Sequence, residues 1–302
     1  MKRENLSSIT IERLRQGFEK AGYIAEDDII VPVYLALRLE KPILITGAPG
    51  VGKTEIAKVL ASVFQTELIR LQCYEGLDEN KALYEWNYQR QLIKIQLIKD
   101  TASEEMVEQD LFSRGYLLER PLLRAIQAQE KAVLLIDEID KTDEEFEAFL
   151  FEVLSDFQVS IPEWGTIEAN HIPMVVLTNN GERELSDGLK RRCVYLYIDF
   201  PTIEKELKII KVKVPEVNDR LAEDIALAVY HMREQDFKKK PSISETLDFA
   251  KALLLLEAKR LEPEHIKKTT NLLLKDKVDI DLFNKELGPV KLIETVRKQS
   301  IC

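Results

Sequence analysis

The chain has 302 residues, of which 45% are apolar and 32% charged, and its formal net charge is −10. This length predicts one large and one smaller domain, and the apolar share excludes an intrinsically disordered chain. The acidic excess disfavours nucleic acid or an anionic membrane as a partner for the whole surface. No apolar stretch is long enough to cross a membrane and no leader follows the basic start, so we expect a cytoplasmic protein.

Helices and short apolar strands alternate in the first two thirds of the chain. Two helices are predicted before the first strand, at residues 9–22 and 28–39. The strands are predicted at 42–47, 67–73, 132–137, 174–179 and 194–200. This alternation predicts a doubly wound α/β fold with a parallel sheet, in which ligands bind at the carboxyl ends of the strands.

Two segments are longer than a simple connection between strands requires. An insertion at about residues 78–118 is predicted to contain helices at 80–97 and 104–112. Residues 157–172 alternate and turn like a hairpin ahead of the strand at 174–179. Between these segments, Thr142 is predicted to cap a helix, with Glu145 completing a capping box.

Only helical patterns follow residue 201. The helices are predicted at 203–211, 217–232, 244–257, 262–275 and 280–298. We therefore expect an α/β core at 1–200, which includes the N-terminal helices, the insertion and the hairpin. An all-α lid domain is expected at 201–302.

A glycine-rich segment, GAPGVGKT, stands between a predicted strand and a predicted helix. Its glycines let successive backbone N–H groups surround a phosphate, and the helix start favours an anion. Lys53 is predicted to reach the β- and γ-phosphates, and Thr54 to ligate Mg²⁺. The cofactors expected are therefore ATP or ADP with Mg²⁺. The predicted nucleotide-binding residues are Gly47, Ala48, Pro49, Gly50, Val51, Gly52, Lys53, Thr54 and Glu55.

Two carboxylates end the apolar strand at 132–137. Asp137 is predicted to hold Mg²⁺, and Glu138 to orient and polarise the water that attacks the γ-phosphate. The alternative is that two acids after an apolar run cap a helix. Asp140 and Lys141 are assigned to the turn into the next helix.

Polar and basic residues follow the strand at 174–179. Asn180 is predicted to sense the γ-phosphate or the water through its neutral amide, and the alternative is a plain Asn-Gly turn. Downstream, Arg191 and Arg192 end a helix that begins near Ser186. In a monomer they are ordinary partners of the helix dipole, whereas in a ring one of them could reach a neighbour's ATP.

The motifs GAPGVGKT, LLIDEIDK, LTNN and LKRRC, in this order and followed by a helical tail, resemble an AAA+ P-loop ATPase. The segments RLQCYEGLDENKALYEWNYQRQL and LLERPLLRAI, together with the hairpin, are similar to the MoxR family. Within that family, the likeness is greatest to the ATPases that assist maturation of molybdenum-containing carbon monoxide dehydrogenase. The resemblance covers about residues 32–201 strongly and the tail loosely.

This resemblance implies a homo-oligomer, usually a six-membered ring, that hydrolyses ATP between its subunits. Arg192 matches the arginine that acts on the neighbouring subunit, and Arg191 is the second choice. The implied partners are a protein with a von Willebrand factor A (VWA) domain and a metalloenzyme client, to which the chain would act as a chaperone. One departure is that residues 241–248, where a helix of the second domain opens, offer no lid arginine, and Arg260 lies too far along to replace it.

Several aromatic residues could line a central pore and grip a client, namely Tyr74, Tyr116 and Trp164, although aromatic residues more often pack. Two other functions stay open. A nucleic-acid motor of clamp-loader or restriction type is favoured by the Arg-Arg-Cys element and disfavoured by the acidic charge. A nucleotide-gated scaffold without turnover is disfavoured by Glu138.

Overall fold

The computed structural model describes residues 9–98, 111–162 and 164–299. The chain divides into two compact units. The first comprises the residues up to Arg15 together with Asp27–Thr46 and Thr54–Tyr197. The second comprises Gln16–Glu26, Gly47–Lys53 and the residues from Ile198 onwards.

A five-stranded sheet forms the centre of the first unit. Its strands in chain order are β1 (Ile43–Gly47), β2 (Leu68–Gln72), β5 (Val133–Asp137), β8 (Met174–Asn179) and β9 (Val194–Ile198). Their spatial order is β2-β5-β8-β1-β9, and β5 is parallel to both β2 and β8. Each of these strands was predicted, with ends that differ by at most two residues. Every residue of β5 and β8 is buried, which explains the continuous apolar runs.

Helices alternate with these strands along the chain. Three of them occur before β2 in the chain: α1 (Ile11–Lys20), α2 (Asp27–Leu39) and α3 (Lys53–Phe64). The last of these begins at the Lys-Thr pair that ends the segment GAPGVGKT, which we call the phosphate-loop motif. Two more follow later strands, α6 (Pro121–Ile126) and α7 (Glu144–Ser155). Apolar side chains from α6, α7 and the sheet form one buried core.

The insertion differs from the prediction of one helix at 80–97. The structure contains two helices there, α4 (Glu79–Ala82) and α5 (Tyr88–Ile98), separated by β3 (Tyr84–Trp86). β3 pairs antiparallel with β4 (Leu117–Glu119), so a partner more than thirty residues away overrides the helical pattern. Most of the helix predicted at 104–112 lies outside the described residues.

The hairpin before β8 is confirmed, because β6 (Gln158–Ile161) pairs antiparallel with β7 (Gly165–Glu168). The cap predicted at Thr142 is wrong by one residue. Asp143 caps α7, since its side chain accepts a hydrogen bond from Phe146 N. The Thr142 hydroxyl instead donates to Ile139 O at 2.8 Å, within the preceding short 3-10 helix.

The second unit contains the helices at the C-terminal side, which share a buried apolar core of their own. They are α9 (Ile203–Lys213), α10 (Asp219–Arg233), α11 (Ile243–Leu255), α12 (Pro263–Leu273), α13 (Lys277–Glu286) and α14 (Gly288–Gln299). The single helix predicted at 280–298 is wrong, because the chain breaks at Gly288, which has φ +64°. Among the described residues, no helix combines the length and the apolar character needed to cross a bilayer.

Candidate functional site

The phosphate-loop motif connects β1 to α3 with glycines where side chains would not fit. Gly50 and Gly52 have φ values of +76° and +95°, in the left-handed region that favours glycine. A Cβ on Gly47 would lie 2.2 Å from Ile198 O. The Lys53 ammonium is buried within the loop and donates to Gly47 O at 2.6 Å and Ala48 O at 2.8 Å. The loop therefore holds its cation at its own centre, as an anion cradle requires.

Asp137, at the end of β5, receives three donors from three different elements. Its Oδ1 accepts from Thr54 Oγ1 at 3.0 Å and from Thr178 Oγ1 at 2.6 Å. Its Oδ2 accepts from the Arg70 guanidinium at 2.5 Å. The predicted metal residues Thr54 and Asp137 are thus in direct contact. The carboxylate is almost fully buried, and hydrogen bonds and an opposite charge compensate for its burial.

Glu138 is held in an uncommon backbone conformation. Its φ and ψ are 59° and 53°, the left-handed region that costs a non-glycine residue about 1–2 kcal/mol. Its N–H donates to Thr178 Oγ1 at 2.8 Å, and its Oε2 accepts from Gln72 Nε2 at 3.1 Å. Strain of this kind persists where surrounding contacts enforce it, and it is frequent at functional positions.

Thr178, Arg70 and Gln72 were missed from the sequence. Thr178 is the residue before the predicted polar pair on β8, and its hydroxyl contacts both acidic residues. Arg70 and Gln72 stand two residues apart on β2, so their side chains share one face of the strand. The alternation of polar and apolar residues in LIRLQ indicates that Arg70 and Gln72 share one face of the strand, but it does not identify the acids that they contact.

Two asparagines end β8 and differ in their surroundings. Asn179 is buried, and its Oδ1 accepts from Gly181 N at 2.6 Å. Asn180, the predicted sensor, is partly exposed, and its N–H donates to Asp140 Oδ2 at 3.1 Å. The same oxygen accepts from Glu182 N at 3.0 Å. Asp140 therefore does more than form the turn assigned to it, because it holds the loop that carries Asn180.

The two arginines at the end of α8 (Asp187–Arg192) have different environments. The Arg192 guanidinium lies 4.4 Å from the Phe151 ring centroid and donates to Ser155 Oγ at 2.5 Å and Gly188 O at 3.0 Å. A Cβ on Gly188 would lie 2.7 Å from the same ring, so α8 packs closely on α7. Arg191 is exposed and makes no ion pair or side-chain hydrogen bond with the residues that the structure describes.

The start of α8 is also held by a buried acid, Glu147 of α7. Glu147 accepts from Ser186 N at 2.9 Å and from the Arg183 guanidinium. The helix begins beside Ser186, as predicted, and Ser186 caps it by accepting a hydrogen bond from Leu189 N at its Oγ. These contacts fix the direction in which α8 presents its last turn.

The aromatic residues considered for a pore divide into packed and exposed groups. Tyr116 is buried, and Trp164 donates its indole N–H to Phe112 O at 2.9 Å while packing edge-on against Trp86. Tyr74, by contrast, is 46% exposed. Tyr116 and the half-buried Trp164 both pack against residues of the insertion, and Tyr74 is the one exposed residue of the three.

Cys73 follows β2 directly and is buried beside the acids. Burial, reinforced by the nearby Asp137 charge, raises the pKa of the Cys73 thiol to about 12. The pKa of Cys193 is also raised to about 12 by burial, against the opposing influence of Arg192. Both thiols therefore stay protonated at neutral pH, which is the inert, structural form of cysteine.

The donor set at Asp137 fits Mg²⁺ with a nucleotide. Among the described residues, no group of three or more His, Cys, Asp or Glu could hold a metal without other ligands. Mg²⁺ does not need such a group, because it commonly binds one or two carboxylates and completes its shell with water and phosphate oxygens. Asp137 and the Thr54 hydroxyl, next in the chain to Lys53, match this requirement.

Comparison with known protein families agrees with this arrangement of the phosphate-loop motif and the acid pair. The chain belongs to the AAA domain family (dynein-related subfamily), whose profile matches residues 42–193. The match begins at β1 and ends beside Arg192, so it includes the phosphate-loop motif, the acid pair and Asn180. Members of the wider AAA+ class bind ATP or ADP with Mg²⁺ and hydrolyse ATP. The narrower MoxR assignment stays a prediction.

Individual relatives have varied roles. The chain is 27% identical over 147 residues to the chaperone protein ClpB of Bacillus cereus, covering 48% of this chain and 14% of that protein. It is 21% identical to the gas vesicle ATPase GvpN1 of Halobacterium salinarum, covering 71% of this chain and 65% of the relative. This chain thus spans only between about an eighth and three tenths of the length of the ClpB proteins that it matches.

A third relative is known both as a sequence and as a structure. The RuvB subunit of the Holliday junction branch migration complex of Thermotoga maritima is 24% identical over 281 residues, covering 88% of this chain and 71% of RuvB. A solved structure of the same motor superimposes with a TM-score of 0.52 at 19% identity, covering 92% of this chain and 82% of the RuvB chain. At this identity, the structural likeness establishes the AAA+ fold alone.

Proposed function

We propose that this chain hydrolyses ATP with Mg²⁺ and works as a ring-forming AAA+ chaperone or remodelling motor. The observation that carries the proposal is the contact of the Thr54 and Thr178 hydroxyls with Asp137, beside a strained Glu138. Bound Mg²⁺ would neutralise phosphate charge. Asp137 and Thr54 would hold it, Lys53 would bind the phosphates, and Glu138 would orient the attacking water.

Steady-state phosphate release with and without Mg²⁺ tests this proposal. Lys53→Ala should abolish ATP binding, because no ammonium would then compensate the phosphate charge within the loop. Glu138→Gln should bind ATP normally but hydrolyse it at least a hundredfold more slowly, as expected for loss of a general base. Glu184→Gln, a change in an exposed acid, is the matched control. Unimpaired turnover in Glu138→Gln would contradict the assigned role.

The contacts of α8 favour Arg191, rather than Arg192, as the residue that acts on the neighbouring subunit's ATP. Arg192 already has three partners within its own subunit, among them Phe151 and Ser155. Arg191 is exposed at the same helix end. Arg191 would therefore stabilise charge in the neighbour's transition state, and Arg192 would keep α8 in place.

Mixed oligomers separate the two arginines. Arg191→Ala should bind ATP but hydrolyse it poorly, and mixing with Lys53→Ala subunits should restore activity by pairing an intact arginine with an intact loop. Arg192→Ala should lower the unfolding midpoint, and its effect on turnover should be smaller than that of Arg191→Ala. Rescue of Arg192→Ala but not of Arg191→Ala would return the role to Arg192.

The finer assignment is a MoxR-type ATPase that assists maturation of, or metal insertion into, a molybdenum-containing metalloenzyme, together with a VWA-domain partner. It is supported by the insertion segments RLQCYEGLDENKALYEWNYQRQL and LLERPLLRAI and by the chaperone named among the relatives. Native mass spectrometry of Glu138→Gln with ATP should give a hexamer. A VWA-domain protein encoded beside this chain should bind that hexamer on size-exclusion chromatography, and failure to bind would contradict the partner.

A nucleic-acid motor is the second candidate, because a branch-migration subunit is among the relatives that this chain covers most completely. The net charge of −10 opposes it. Duplex or four-way-junction DNA should leave the ATPase rate within twofold at physiological salt. A clear stimulation would rank this function above the chaperone.

A further inference from the structure

Two side chains of β2 connect the acids of the candidate site, and we define them together as the β2 bridge: Arg70 and Gln72. One terminal nitrogen of Arg70 donates to Asp137 Oδ2 at 2.5 Å and to Gln72 Oε1 at 2.5 Å. Gln72 in turn donates to Glu138 Oε2 at 3.1 Å. A continuous path of hydrogen bonds therefore runs from one acidic residue to the other through β2.

The strand geometry explains how these residues meet. Among the strands that the structure describes, β2 is at the edge of the sheet and pairs with β5 alone, and Gln72 lies in register with Asp137. Arg70 precedes Gln72 by two residues, about 7 Å along a strand, on the same face. Its long side chain spans this distance and reaches the carboxyl end of β5.

The two members of the Arg70–Asp137 ion pair differ in their access to water. The Asp137 side chain is 5% exposed, whereas the Arg70 side chain is 52% exposed. A buried carboxylate left without a compensating positive charge is costly, but an exposed guanidinium can turn into solvent at little cost. Asp137 therefore needs a cation at all times, and Arg70 is a cation that can leave.

Resting on the proposed Mg²⁺-dependent hydrolysis, we propose that Arg70 competes with the metal for Asp137 and thereby sets the metal affinity of the site. Whether Asp137 reaches Mg²⁺ directly or through water, Arg70 occupies one carboxylate oxygen and cancels part of the charge that attracts the ion. When Arg70 leaves Asp137, Gln72 also loses its anchor. The restraint on Glu138 then weakens at the step in which the metal site is filled.

Metal binding, measured separately from hydrolysis, tests this inference. The probe is Mn²⁺ with saturating ADP, followed by the electron paramagnetic resonance of free Mn²⁺ on the full chain. Arg70→Met keeps the aliphatic stem and removes the charge, so it should bind Mn²⁺ about tenfold more tightly, the size expected for a partly screened neighbouring charge. Arg70→Lys keeps the charge and should stay within threefold of the unaltered chain.

A control and a double variant sharpen the result. Arg124→Met removes an exposed arginine paired with Glu67, just before β2, and should leave Mn²⁺ affinity unchanged. Gln72→Ala removes one acceptor of Arg70 and should tighten Mn²⁺ about threefold, with no further gain in the Arg70→Met background. Additive effects of the two changes would show that Gln72 does not act through Arg70 and would overturn the link to Glu138.

The outcomes separate this inference from the proposed function. An unaltered chain that binds no Mn²⁺ with ADP contradicts the proposed function itself. If the unaltered chain binds Mn²⁺ and Arg70→Met binds it equally or less tightly, Arg70 is a structural ion pair and only the competition is overturned. Unfolding midpoints in urea, measured for each variant, identify any change of affinity that arises from a disrupted fold.

Discussion

The hydroxyl of Thr178 offers a sharp test of how the acids are positioned. Valine has nearly the same shape as threonine, so Thr178→Val removes the hydroxyl without opening a cavity. The change removes the bond to Asp137 Oδ1 at 2.6 Å and leaves the Glu138 N–H without its acceptor. A hydrogen bond to a charged group contributes about 1.5–3 kcal/mol, and a buried unsatisfied donor costs about 1–3 kcal/mol.

Because Thr54 and Arg70 still compensate Asp137, the two losses should not add fully, and we expect about 3 kcal/mol less stability towards unfolding. Glu138 should lose more than stability. Its left-handed conformation, which costs about 1–2 kcal/mol, would no longer be enforced by Thr178. The aligned population of Glu138 should then decrease, and kcat should fall about tenfold, equivalent to about 1.4 kcal/mol.

Urea unfolding and steady-state phosphate release measure the two effects. Thr178→Ser restores both hydrogen bonds and removes one methyl group, so it should cost about 1 kcal/mol and keep kcat within threefold. Thr269→Val changes a buried hydroxyl that bonds only within α12, to His265 O, and should leave kcat unaltered. If Thr178→Val and Thr178→Ser have the same kcat, the positioning role of the hydroxyl is refuted.

Three further predictions concern the second unit and the thiols. Arg233→Met should destabilise the fold by about 3–5 kcal/mol in urea, because Glu206 is 1% exposed and would lose its paired charge; adding Glu206→Gln should recover much of this. Gly50→Ala should weaken ATP binding at least tenfold by calorimetry, since a Cβ there would lie 2.4 Å from Ser242 Oγ at φ +76°. Cys73, with a pKa raised from 9.0 to about 12, should react with iodoacetamide about a thousandfold more slowly at pH 8 than a free thiol, and its labelling rate should keep rising about tenfold per pH unit above pH 9, where that of a free thiol levels off. Fast labelling of Cys73 itself at pH 8, assigned by mass spectrometry of its peptide and so distinguished from labelling of Cys193 and Cys302, would contradict the last prediction.

Local patterns were sufficient where an element depends on its own residues. The bounds of β8, Met174–Asn179, agree with the prediction because a fully buried strand needs a continuous apolar run and the Asn-Gly pair ends it. The break between α13 and α14 was also present locally, in the Gly288-Pro289 pair, but the prediction extended a helical period across it. The shift of the α7 cap from Thr142 to Asp143 is a choice between two adjacent residues that can both cap.

Pairing with a distant strand decided the secondary structure where the hydrophobic period predicted the wrong element. Tyr84, Glu85 and Trp86 fit the helical pattern at 80–97, yet they form β3 because β4 supplies backbone partners. Trp86 is then enclosed by Phe112 and Trp164, residues far from it in the chain. Propensity yields in such cases because the partner strand and the aromatic packing contribute more than the local preference.

For the candidate site, the sequence by itself determined which polar groups stand at the ends of the strands: the glycines and Lys53 of the phosphate loop after β1, and the two acids that follow the apolar run of β5. Each of these groups can be identified from its residue type and from its distance of a few residues to a predicted strand or helix. Only the tertiary structure decided which donors face those acids. The order β2-β5-β8 puts Arg70 and Gln72 on one side of β5 and Thr178 on the other, although some forty to seventy residues separate them from the acids in the chain. Strand order is set by how the apolar faces of the elements are buried against one another. This burial depends on the whole folded chain and cannot be read from any local segment.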